Sequence, residues 1–209
     1  MMSESFAART EGLIARHGAE LLRLAAASID HGLSHGRPLP VSADDCAAEL
    51  REPGASFVTL HRHGRLRGCI GTAEASQPLA VDVAGNGFAA AFLDGRFPPL
   101  SAFERQGLGI SVSLLSPPAP LAFGDENDLL AQLRPFEDGV ILSVEGRRAL
   151  FLPQVWQQLG EPRLFLRQLK RKAGVPDDYW CRDVDAWRFI CRSVASELAN
   201  VSELGCIYP

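Results

Sequence analysis

The residue types best suited to chemistry are concentrated in Leu66-Arg67-Gly68-Cys69-Ile70-Gly71. A thiol attacks as its thiolate, and a nearby cation favours that form. Arg67 stands two residues before Cys69, which places the two side chains on one face of an extended strand. Gly68 and Gly71 bracket the cysteine, and glycine within a strand marks a bulge or the close approach of a ligand or another backbone. An arginine also offers paired planar donors to a carboxylate or phosphate. These residues therefore suit an accessible, activated thiol beside an anion-binding group. They equally suit plain packing, since a free cysteine behaves as a compact hydrophobe. Both readings stay open at this point.

The elements around this stretch follow from periodicity and turn residues. Phe57–Leu60 and Arg65–Gly71 flank the polar turn His61-Arg62-His63-Gly64, which predicts a β-hairpin. Alternation puts Leu66, Gly68 and Ile70 on one face and Arg67, Cys69 and Gly71 on the other. His61 and His63 lack a third ligand of suitable spacing and are read as exposed hairpin residues, so no metal site is expected. A helix is expected over 8–33, carrying Leu13, Leu21, Leu24, Ala25 and Ser28 on one stripe, with His17, His31 and His35 in or near it. A short capped helix follows to about Arg51. Another is expected from Leu79 to Leu93 despite Gly85-Asn86-Gly87 at its middle. Asn86 in a helix interior either bonds the backbone or faces a site.

Asp94 to Pro99 forms a stiff loop, and Ser101 to Glu104 has capping-box spacing. Strands are expected over Leu108–Leu115, Gly139–Glu145, Arg147–Leu152 and Val184–Val194, with helices near Asp128–Leu133 and opening at Pro153 and Pro162. The last of these, Arg163 to Lys172, is amphipathic and basic. It reads as a solvated face with cations at a helix C-terminus, or as a docking face for an acidic partner or phosphate. Hairpins interrupted by helices indicate an α+β fold with a largely antiparallel sheet.

Composition narrows the class. The 209 residues are 46% hydrophobic with a net charge of −4, and the pI is near 5.7 with mean hydropathy +0.01. That supports a packed core and disfavours nucleic acid as a partner. Five scattered cysteines without a C-x-x-C pair fit reduced thiols, hence a cytoplasmic protein. No signal peptide or membrane span is expected. P-loop, G-x-G-x-x-G, H-E-x-x-H and G-x-S-x-G motifs are absent.

Leu66 to Gly71 matches the signature of the AMMECR family, whose prokaryotic members are called AmmeMemoRadiSam system protein A. The resemblance extends to the Gly54–Leu60 lead-in, the Asn86–Pro99 block, Val112–Pro118, Phe151–Trp156 and Lys172-Ala173-Gly174, in the family's order. Gly87 and Leu150 depart from the pattern, where alanine and threonine are expected. The resemblance implies an antiparallel sheet flanked by helices with a smaller lobe packed beside it. It implies an extension over 1–14, an AMMECR-type domain over 15–195 and a tail over 196–209. It also implies a Memo-like protein and a radical SAM protein as partners, and no cofactor of its own.

Two functions are expected on this basis. In the first, an enzyme or enzyme-system component acts on an anionic small molecule or macromolecule. Cys69 is its catalytic group, and Arg67, Gly68, Gly71, Asn86 and Arg96 bind substrate. In the second, the chain is a non-catalytic module that binds a ligand or partner. The first requires Cys69, Arg67 and Asn86 in one cleft; the second requires an exposed apolar or charged patch.

Overall fold

The computed structural model describes residues 2–197, with side chains from residue 6. Cys206 and the expected tail beyond Glu197 lie outside the described residues. The chain divides into two compact units, one of residues 9–115 with 192–197 and one of residues 2–8 with 116–191.

The first unit opens within helix α1 (Met2–His35), from Arg9 onward, followed by a 3-10 turn (Ala43–Asp45) and the single-turn helix α2 (Ala48–Arg51). Strands β1 (Ala55–Arg62) and β2 (Arg65–Gly71) come next, then helix α3 (Leu79–Phe92), a 3-10 turn (Ala102–Arg105) and strand β3 (Leu108–Leu115). With β8 (Cys191–Glu197) the strands form a sheet in the order β2-β1-β3-β8. Of the expected helix stripe, Leu21, Leu24, Ala25 and Ser28 are fully enclosed and Leu13 is half-buried. They pack with Val58 and Leu60 of β1, Val83 and Ala90 of α3, and Ile110, Val112 and Leu114 of β3.

The hairpin forms where expected. His63 and Gly64 both take positive φ, 52° and 73°, the geometry of the tight turn that matches strand twist. Simple alternation along β2 fails, however. The register passes from Leu60↔Gly68 to His61↔Leu66, so Arg67 is an extra, bulged residue. Leu66 is consequently exposed while Arg67 and Gly68 are buried. The bulge signal was the glycine, and its cause is α3. A Cβ on Gly68 would overlap the carbonyl oxygen of Ala90, so only glycine lets the helix backbone lie against this strand.

The second unit holds strand β4 (Ala119–Pro120), helix α4 (Glu126–Gln132), the hairpin β5 (Gly139–Val144) and β6 (Arg147–Phe151), helices α5 (Trp156–Leu159) and α6 (Pro162–Lys172), and strand β7 (Val184–Phe189). Its sheet order is β4-β7-β5-β6, with antiparallel pairings. Trp156 and Phe165 stack at 3.8 Å in its core. The expected single strand Val184–Val194 is two strands in two sheets. The break falls at Ile190, whose N–H and C=O bond Ser116 instead of a strand partner. The α+β class is borne out, and the second unit has a four-stranded sheet of its own. No helix among the described residues is long and apolar enough to cross a membrane.

Gly68→Ala is expected to destabilise the protein by at least about 2 kcal/mol through overpacking. Gly85→Ala, in α3 with open space around its Cβ position, should stabilise by about 0.5–1 kcal/mol. Urea denaturation of the two variants checks both signs.

Candidate functional site

Cys69 sits on β2 opposite Thr59, whose hydroxyl donates to its Sγ at 3.2 Å. The thiol is half-buried. Both main-chain polar groups of Cys69 are engaged by the loop that follows α3. Its N–H donates to Asp94 Oδ2 at 2.9 Å, and its carbonyl accepts from Arg96 Nη2 at 3.3 Å. Asp94 and Arg96 form a two-bond fork, 2.9 and 2.7 Å. Those bonds from Arg96 hold the buried Asp94 carboxyl far below the usual carboxylate range, outweighing desolvation. Asp94 in turn raises the Arg96 guanidinium. The Arg96 side chain is 57% exposed.

Arg67 is 8% exposed, and its charge is not directed at the thiol. Its guanidinium forms a fork to Glu104, 2.7 and 3.1 Å, and donates to the Pro98 carbonyl at 2.9 Å. Glu104 also accepts from the N–H and hydroxyl of Ser101 at 3.0 Å each. Arg67 with its hydrogen bonds is the chief cause that lowers Glu104 to about 2. The two arginines share one aromatic ring: the guanidinium carbons lie 5.8 Å (Arg67) and 5.6 Å (Arg96) from the Phe97 centroid. Arg62 extends the series, 4.0 Å from Glu104 and 5.5 Å from the centre of Phe103. Leu66, Leu93 and Phe103 are exposed along it, Phe103 by 82%.

Asn86 belongs to a different cluster. Its amide donates to the Ser56 carbonyl and hydroxyl, to Thr72 Oγ1 and to Asp82 Oδ2. Thr72 lies three residues beyond Cys69, roughly 10 Å along an extended chain, so Asn86 has no hydrogen-bond reach to the thiol. It bonds backbone and core, the first of its two sequence readings. Gly68 and Gly71 are filled by the protein itself, Gly68 by Ala90 and Gly71 by the ring of Phe57. Of the six residues read as a site, the structure joins Cys69 to Arg96 and sets Arg67 on the shared Phe97 ring. No histidine bonds Cys69 among the described residues, since His17 pairs with Glu49 and His31 with the Arg37 carbonyl. His61 and His63 are exposed, as expected.

Sequence reasoning missed Asp94, Glu104 and Phe97 as partners. The spacing Asp94-x-Arg96 was a usable signal, because a carboxylate two residues from an arginine in a tight loop can close a local fork. Glu104 was read only as a capping residue.

The AMMECR1 family model matches residues 22–194. A protein of Thermotoga maritima is 41% identical over 141 residues, covering 66% of this chain and 75% of its own. One of Methanothermobacter thermautotrophicus is 34% identical over 174 residues, covering 82% and 90%. The crystal structure of the uncharacterized protein PH0010 from Pyrococcus horikoshii superposes with a TM-score of 0.76 at 32% identity, over 86% of this chain and 91% of that one. The chain is an α+β protein that belongs to the AMMECR1 family.

Glu104→Gln should cost roughly 3 kcal/mol at neutral pH, because it leaves Arg67 buried beside a neutral partner. Glu104 is depressed in the folded state, so its contribution is present above its ordinary value of 4.5 and is lost as pH falls through about 2. Denaturation at pH 7 and pH 2.5 should therefore show a difference between wild type and variant that shrinks on acidification.

Proposed function

We propose that the chain is a non-catalytic binding module that docks a partner protein on the rim formed by Leu66, Leu93, Phe97, Phe103, Arg62 and Arg96. One observation carries this reading: Arg67 and Arg96 are already paired to Glu104 and Asp94, while large apolar side chains beside them face solvent. Paired arginines offer little net charge to an anionic substrate, but they make a rigid, pre-ordered surface. Aromatic residues and arginine are the types that dominate binding energy at interfaces. Exposed apolar patches of this kind are uncommon unless something covers them. The Memo-like and radical SAM proteins of the family's genomic company are the partners we propose. We place the module in the cytoplasm, in keeping with the free thiols of Cys69 and Cys181.

The half-exposed thiol of Cys69 supports a second reading, cysteine-dependent chemistry on an anionic electrophile held by Arg96. One experiment separates the two. Binding of the Memo-like protein is measured with Leu93→Asp, Phe103→Asp and Cys69→Ser variants. The module reading expects each aspartate variant to weaken binding roughly 30-fold, a hot-spot effect, with Cys69→Ser unchanged. Intact binding in both aspartate variants would sink it. The second reading gains only if Cys69 alkylates selectively in the folded protein, with an apparent pKa well below about 8.5.

A further inference from the structure

Helix α1 ends in two histidines one turn apart, His31 and His35. Residues at i and i+4 share a helix face. The two rings are stacked, their centroids 4.2 Å apart and their planes inclined by 18°. Each Nδ1 meets a main-chain carbonyl, His31 that of Arg37 at 2.9 Å and His35 that of His31 at 3.3 Å. A carbonyl only accepts, so the nitrogen facing it carries the proton and the neutral ring keeps its lone pair on Nε2. Both imidazoles are thus held in the tautomer that ligates metal through Nε2. An N–H anchored to a carbonyl is the usual outer support of a metal-bound histidine.

We propose that His31 and His35 chelate a divalent late-transition-metal ion at the C-terminus of α1, with water in the remaining positions. Two donors at about 2.0–2.1 Å from one ion stand roughly 3 Å apart. The stacked rings lie nearly parallel, so both imidazoles must turn about their side-chain bonds to aim Nε2 at one ion. The C-terminal end of a helix carries partial negative charge, which favours a cation there. Nearby carboxylate is withheld: Asp30 is forked to Arg105 at 2.8 and 2.9 Å. The donor set is then imidazole alone, which suits Ni2+, Cu2+ and Zn2+ over Mg2+ or Ca2+. Among the described residues no group of three His, Cys, Asp or Glu is placed to hold a metal ion, so the site is open and two-liganded.

Ni2+ is the discriminating probe, because thiolates compete more strongly for copper(I) and zinc. Isothermal titration of the full chain should show one Ni2+ site. His31→Ala and His35→Ala should each weaken it roughly 100-fold, the order of gain when two linked groups engage one target. The double variant His61→Ala/His63→Ala should bind as wild type. Ni2+ should raise the melting temperature of wild type and the hairpin double variant only. Unchanged affinity in His31→Ala, or loss confined to the hairpin double variant, would overturn the assignment.

Discussion

Asp82 is 1% exposed, and no cation bonds it among the described residues. Its two side-chain oxygens accept from five donors: the N–H and hydroxyl of Ser56, the hydroxyl of Thr72, and the amides of Gln77 and Asn86. A polar group so deeply enclosed is tolerated only when its bonding capacity is filled. The donors come from the start of β1, the segment after β2 and α3 itself. The cluster therefore fixes where the helix begins on the hairpin.

The rest of the site follows from that anchor. Eight helical residues from Asp82 to Ala90 rise about 12 Å, and four strand residues from Thr72 back to Gly68 span about 13 Å. The helix thus runs antiparallel to β2 in step with it, and Ala90 arrives over Gly68. One turn later the helix ends, with Leu93 as its cap. The chain then turns back so that Asp94 meets the N–H of Cys69 and Arg96 meets its carbonyl. Cys69 is held through its backbone by the loop at this helix end, and at its thiol by the Thr59 hydroxyl.

The arginines obey a related constraint. A guanidinium buried like that of Arg67 requires a carboxylate, and Glu104 supplies it in a two-bond fork. Glu104 also binds Ser101, which fixes the turn that carries Phe103 outward. Arg105 next to it forks to Asp30 of α1. Charge that sequence reading directed at a substrate is largely spent on holding the loop 94–105 in place, while its apolar side chains remain exposed.

By itself the sequence determined the elements whose information is local. The stripe Leu21, Leu24, Ala25 and Ser28 marked the buried face of α1, because helical periodicity is written in neighbouring residues. The hairpin, the helix through Gly85-Asn86-Gly87, the α+β class and the family were equally legible. A second lobe and a bulge near Gly68 were expected. Only the tertiary structure decided which residues form each unit, that Arg67 is the extra residue, and the partners of Arg67, Asp94 and Asn86. It also split the last predicted strand at Ile190 into two sheets. The physical reason is common to all of these: each depends on which backbone or charge lies across space, 25 to 74 residues away in the bonds of Cys69, Asn86, Arg67 and Ile190. A residue's type states how many bonds it must make, and the fold chooses with whom.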